Sequence, residues 1–230
     1  MRPLFRLFWL PLYRLWALRH IRRERVFSHA GLRLSVPPGV FHPGIFFSTP
    51  IFVSFLQNVD FQKKKVLDVG TGSGLLALFA ARRGAAVTAL DINPKAVETA
   101  RRNAATNGLS LTVVESDLFD QLPPQTFDFV LINPPYYPRP PRDAAERAFF
   151  AGENWEYFEK LFRQLPQYLN PSDAPQPSES LPTRSTVWMI LSEDCDFEKI
   201  TTIAENAGFR LQVVFEKKKW GERFFVAAAY

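Results

Sequence analysis

Apolar positions change their spacing repeatedly along this chain, and from residue 65 onward short apolar runs exchange regularly with stretches of helical period. Strands are expected over 66–69, 87–90, 111–115, 127–132, 186–191, 210–215 and 223–229, and helices over 74–83, 94–107, a stretch near 152–168 and 195–207. Upstream, Leu32, Leu34 and Val36 alternate with polar neighbours, which suits a short strand over 31–36 closed by the turn residues Pro37, Pro38 and Gly39. The stretch 50–57 reads as an apolar helix. Strands that alternate with helices predict a parallel sheet covered on both faces. The last two strands are joined only by 216–221, too short for a crossover helix, so they are expected to form an antiparallel hairpin. The expected fold is therefore α/β, with seven strands, helices on both faces and a C-terminal antiparallel hairpin.

Composition sharpens this picture in two places. The 230 residues, 47% of them hydrophobic, suit one domain with a substantial core plus an extension. We divide the chain into an N-terminal arm, 1–29, and a domain, 30–230. The net charge of +5 belongs to the arm: residues 1–25 hold seven Arg and one Glu, whereas 26–230 carry 21 basic and 22 acidic side chains. A single cysteine, Cys195, excludes an intramolecular disulfide and a thiolate metal cluster, and fits a reducing compartment such as the cytoplasm. No metal site is expected. The stretch 170–182 has four prolines and little to bury, and is expected to be a mobile loop inside the domain.

Wound at about 100° per residue, the arm sets Arg2, Arg6 and Arg14 against Leu4, Phe8, Leu12, Leu15 and Leu18. Arg6 and Arg14 interrupt any apolar run long enough to span a membrane, and no small-residue cleavage site follows. Three readings stay open. The strip packs on the domain, lies in a membrane interface with Trp9 and Trp16 as anchors, or grips an RNA backbone through Arg14, Arg19, Arg22, Arg23 and Arg25. Peripheral membrane association or RNA contact through 1–25 are thus candidate partnerships.

Candidate chemistry sits at strand ends. Asp68-Val69-Gly70-Thr71-Gly72-Ser73-Gly74 joins the first buried strand to the next helix, where glycine lets backbone approach a ligand closely. Alone, such a triplet is shared by several nucleotide sites. Asp91, followed by Ile92, ends the next strand seventeen residues after Gly74, where a carboxylate is expected to accept both hydroxyls of a ribose. Asp117, followed by Leu118, lies just past the third strand and is expected to accept an adenine amino group. Asp68, at the strand-loop junction, is expected either to bond loop amides or to reach the cofactor's ammonium.

Asn133-Pro134-Pro135-Tyr136 follows the strand 127–132 and is the most specific signal in the chain. An amide or aryl amine is a poor nucleophile because its lone pair is delocalised. If the Asn133 oxygen and the Pro134 carbonyl each accept one N–H, the nitrogen is pushed toward pyramidal geometry with its lone pair aimed at an incoming methyl, and no strong base is required. Pro134 and Pro135 restrict the backbone and hold that carbonyl rigidly. Tyr136 offers a face on which a planar acceptor stacks. Positioning of this kind supplies roughly 7–11 kcal/mol of barrier lowering.

Residues 66–136 resemble the class I S-adenosylmethionine-dependent methyltransferases of the amino-group type, and the resemblance extends over roughly 30–230. Stretches 66–74 and 116–119 are similar to release-factor glutamine methyltransferases, and 38–41 is similar to small-domain ribosomal-RNA guanine methyltransferases. The resemblance implies a Rossmann-like sheet, S-adenosylmethionine as cofactor, and packing of 41–49 over it. It leaves the acceptor open: a glutamine amide in a translation protein, a base amino group in RNA, or a small molecule. The glutamine enzymes carry a helical substrate-binding domain before the first strand, for which this chain offers only about sixty residues. Two rival expectations are a ribosome- or membrane-tethered module that keeps the fold without catalysis, and a nicotinamide oxidoreductase. Phe149, Phe150, Trp155 and Tyr157 are candidates for the mouth of the acceptor site, or for core.

Overall fold

The computed structural model describes residues 23–170 and 186–230. The three readings of the arm over 1–22, and the loop reading over 171–182, concern residues outside these. Strands β1 (Arg25–His29) and β2 (Leu32–Val36) pair as an antiparallel hairpin, so the end of the arm is the first strand of a folded unit. Helix α1 (Ser48–Leu56) follows, starting two residues before the expected helix. Pro50 is tolerated there because first-turn N–H groups have no intrahelical acceptor.

The expected alternation then appears in order: β3 (Lys65–Val69), α2 (Leu75–Arg82), β4 (Ala86–Asp91), α3 (Pro94–Thr106), β5 (Thr112–Glu115) and β6 (Phe129–Ile132). After β6 the chain makes a 3-10 turn at Glu146–Ala148, then α4 (Glu156–Gln164), β7 (Val187–Ser192), α5 (Phe197–Asn206), β8 (Leu211–Lys219) and β9 (Glu222–Ala229). The seven-stranded sheet runs β5-β4-β3-β6-β7-β9-β8. Strands β3 to β7 are parallel; β9 is antiparallel to both β7 and β8.

Alternate residues of the central strands supply two cores. Val66, Phe129 and Leu131 face a cluster with α1, α2, α3 and β2, whereas Leu67, Val130 and Ile132 face α4 and α5. Both faces are covered, so β6 is apolar throughout and β3 is apolar inside the sheet but for the buried Asp68.

The hairpin is fastened by two asparagines four residues apart, Asn103 on α3 and Asn107 at its C-terminal cap. Asn103 Oδ1 accepts the Ser35 N–H at 2.8 Å and Asn103 Nδ2 donates to the Ser35 carbonyl at 3.1 Å; Asn107 treats Arg33 the same way at 2.9 and 2.8 Å. Four helical residues rise about 6 Å and two strand residues about 6.6 Å. The two amides therefore act toward β2 as a neighbouring strand would.

Candidate active site

The sheet order reverses between β3 and β6: after β3 the chain runs outward through β4 and β5, then returns to β6 on the other side. Such a switch point opens a crevice at the carboxyl ends of the strands, where ligands bind in sheets of this kind. Both sequence motifs leave from those ends, the glycine turn from β3 and Asn133-Pro134-Pro135-Tyr136 from β6. They line one cavity of about 720 Å³.

Gly70, Thr71, Gly72, Asp91, Ile92, Asp117, Leu118, Asn133, Pro134, Pro135 and Tyr136 all line it. Asp68 and Gly74 do not. Asp68 lies fully buried beneath the turn, where Oδ2 accepts the Thr71 hydroxyl at 2.6 Å and the Ala77 N–H at 3.1 Å. These bonds join the turn to the first turn of α2. Asp68 Oδ1 is buried with no hydrogen-bond partner among the described residues, and burial pushes the carboxyl up to about 7 against the pull of those two bonds. Gly74 serves packing: at φ +88° it caps α2, and a Cβ there would sit 3.4 Å from Ala100 Cα and Cβ. Gly70 is different, since at φ +73° a Cβ would meet nothing within 4 Å.

Asp91 holds the turn in place. Its Oδ2 accepts the Gly72 N–H at 2.8 Å and its Oδ1 the Asn93 N–H at 2.9 Å, and the Ile92 N–H also faces the carboxylate. Burial raises its pKa, and those amides oppose the rise. Asn93 in turn caps α3 by accepting the Lys95 N–H at 3.0 Å and donates to the Gly39 carbonyl at 2.9 Å, drawing 39–49 toward the cavity. Asp117, past β5, meets Lys160 at 3.1 Å and Arg147 at 3.9 Å.

A ring cluster roofs the cavity. Phe41, Phe46 and Phe149 lie with centroids 4.7, 5.8 and 5.0 Å apart, and all three line it. The 41–49 segment thus meets the loop that follows Tyr136. That loop is tied by Glu146, which takes Arg139 at 3.1 Å and Arg142 at 2.5 Å, and the Arg139 guanidinium stacks 3.7 Å over Phe150. Phe150 and Tyr157 also line the cavity, whereas Trp155 packs into the second core. Tyr157 is half-buried; desolvation raises its phenol pKa, and the nearby charges of Asp91, Asp117 and Asp68 add to the rise.

At the other end, Asn133 Nδ2 donates to Thr49 Oγ1 at 3.0 Å. Tyr136 is half-buried, its phenol pKa driven up by desolvation, and its hydroxyl bonds the Ser192 side chain. Asp194, Glu222 and Phe224 complete this end. Sequence reading missed Thr49, Asn93, Asn103 and Ser192. Only Asn93 had a local signal, an Asn before Pro94 at a helix start.

The cavity suits S-adenosylmethionine. The open space above Gly70 admits a ligand against bare backbone, the Asp91 carboxylate lines the cavity at a strand end, and Phe41, Phe46 and Phe149 line the same cavity, where aromatic rings suit a cationic sulfonium.

The profile of the methyltransferase small domain matches residues 31–153. An archaeal protein of Methanocaldococcus jannaschii, provisionally named a protein N5-glutamine methyltransferase, is 34% identical over 146 residues, 60% of this chain and 71% of that protein. A tRNA1(Val) (adenine(37)-N6)-methyltransferase of Vibrio campbellii is 43% identical over 79 residues, 33% of each chain. The chain spans half or less of the length of this and other curated methyltransferases it matches. Among solved structures, the 16S rRNA N2 G1207 methyltransferase of T. thermophilus, in complex with AdoMet and guanosine, superposes with a TM-score of 0.60 at 19% identity, over 90% of this chain and 50% of that one. By profile, by archaeal relative and by fold, the chain belongs to the methyltransferase small domain family, with S-adenosylmethionine as its methyl donor.

Proposed function

We propose that this protein methylates the side-chain amide nitrogen of a glutamine in a protein. The observation that carries the reading is that Asn133-Pro134-Pro135-Tyr136 lines the same cavity as the glycine turn, which brings a side-chain amide oxygen and a proline carbonyl, both hydrogen-bond acceptors, to the place where an amide NH2 needs them. The archaeal relative's name points the same way.

S-adenosylmethionine supplies the methyl group as an electrophile. In our reading Gly70, Thr71 and Gly72 give it backbone contact, Asp91 and Ile92 take its ribose, and Asp117 and Leu118 flank its adenine. Asp68 and Gly74 keep the turn in shape from beneath. Asn133 Oδ1 and the Pro134 carbonyl each accept an N–H of the acceptor amide, Pro135 stiffens that corner, and Tyr136 lies against the amide plane. Asn133 accepts a hydrogen bond without removing a proton, so the proton leaves to solvent after transfer. Rate comes from alignment and from the fixed direction of these acceptors.

A second reading, transfer to a base amino group in RNA, is favoured by the tRNA relative. The test is transfer of labelled methyl into an extract of a deletion strain separated into protein, RNA and small-molecule fractions, with Asn133→Ala as control. Label in protein that the variant loses supports the amide reading. Label in RNA overturns it in favour of the base, and label in neither macromolecule overturns both.

A further inference from the structure

We propose that Thr49 is a positioning residue that sets which end of the Asn133 amide faces the acceptor, an inference that rests on the amide reading above. Thr49 lies 84 positions from Asn133, in the first turn of α1, and is only 6% exposed. Both residues line the cavity, and Thr49 Oγ1 accepts Asn133 Nδ2–H at 3.0 Å. The contact is asymmetric in the way the chemistry needs. The terminal torsion of an asparagine has two nearly equivalent states, related by exchange of oxygen and nitrogen. One presents an acceptor to the substrate N–H, the other presents a second donor. Only the first orients an amide for transfer, and it is the state in which Thr49 Oγ1 accepts from Nδ2.

Thr49 is suited to hold that state. Its branched Cβ limits χ1 on a helix to few rotamers, and its Oγ1 faces Asn133 Nδ2. Helix α1 is itself anchored, with Ile51, Phe52, Val53 and Leu56 all buried in the first core. Asn133 is held from below by β6, all four residues of which are buried. The amide thus spans two rigid elements that meet across the cavity. Thr49 touches no reacting atom in this reading; it acts through Asn133.

The test compares wild type, Thr49→Val and Thr49→Ser, each in the native background and again in an Asn133→Asp background. Valine keeps the shape and removes the acceptor; serine keeps the acceptor. In the native background, Thr49→Val is expected to lower kcat at least tenfold while the Kd for S-adenosylmethionine and the Tm stay at wild-type values. Thr49→Ser should restore kcat to within about threefold. A carboxylate has two like oxygens and nothing to orient, so in the Asn133→Asp background Thr49→Val should change the residual rate less than twofold. A readout free of any acceptor accompanies this: the Asn133 side-chain NH2 signal, assigned by its absence in Asn133→Asp, should exchange with solvent faster in Thr49→Val than in wild type. Unchanged kcat and unchanged exchange in Thr49→Val would overturn the proposal, as would equal losses in the two backgrounds. If wild type transfers methyl to no protein yet the NH2 signal responds to Thr49→Val, the amide reading fails and the orienting contact stands.

Discussion

The Gly72 N–H donates to Asp91 Oδ2 at 2.8 Å, joining the turn after β3 to the end of β4 across nineteen positions of sequence. One carboxylate therefore shapes the glycine turn and, in our reading, takes the ribose. Asp91→Ala removes both effects. We expect the Kd for S-adenosylmethionine to rise by about 10- to 100-fold, the cost of one or two hydrogen bonds to a charged group. Calorimetric titration checks it, and an unchanged Kd would remove Asp91 from the site.

Asn133→Ala should separate catalysis from cofactor binding. The side chain contacts Thr49 at the acceptor end, with no hydrogen bond to the glycine turn or to Asp91. Turnover should fall by about 10²-fold or more, in line with the loss of a preorganised hydrogen-bonding group, while cofactor Kd stays within about twofold. Parallel losses in both would make Asn133 structural.

Burial raises the Asp68 carboxyl to about 7, well above its ordinary value of 3.8. Between those limits the unfolded chain has released the proton and the folded chain retains it. The folded state is thus favoured at low pH, and this contribution is lost as pH rises from about 4 to about 7, by on the order of 4 kcal/mol at most. Asp91, raised in the same direction, adds to the slope. Asp68→Asn should flatten the stability curve over that window, read by urea unfolding at a series of pH values. A slope equal to that of wild type would show that the carboxyl is ionised in the folded protein.

Asn103 is fully buried and serves three backbone groups: Ser35 N–H, Ser35 C=O and Ser73 C=O. Asn103→Leu keeps the volume and leaves all three without that partner. We expect a loss of about 3 kcal/mol or more, since each abandoned buried group costs about 1–3 kcal/mol and relaxation recovers part. Chemical denaturation measures it. The glycine turn is held through Ser73, so cofactor affinity should weaken as well.

Trp220 sits at φ +54° ahead of Gly221 at φ +82°, in a two-residue turn between β8 and β9, and is 67% exposed. Turns of this kind prefer Asn-Gly, because asparagine enters the left-handed region at lower cost. Trp220→Asn should therefore stabilise the protein by about 0.5–1 kcal/mol, visible as a higher Tm. A lower Tm would mean that the ring contact with Phe47, at 5.8 Å, outweighs the backbone gain.

The sequence by itself determined the order of strands and helices, the parallel character of the central sheet, the final hairpin and the two motifs that meet in the cavity. These are local properties: a change of apolar period, a glycine where only backbone fits, a proline pair at a strand end. Strand β1 was illegible because it is a two-stranded edge with little to bury, and Val26 is 58% exposed. Only the tertiary structure decided which motif residues face the cavity. Gly70 and Gly74 look alike in the chain, but the first opens on the cavity and the second packs on Ala100. Asp68 and Asp91 both stand near strand ends, but the one sinks beneath the turn and the other lies at its rim. Thr49 and Asn103 carry no local signature at all. Their partners lie 84 and 68 positions away, and a hydrogen bond across such a distance exists only after the sheet and its helices have brought both groups together.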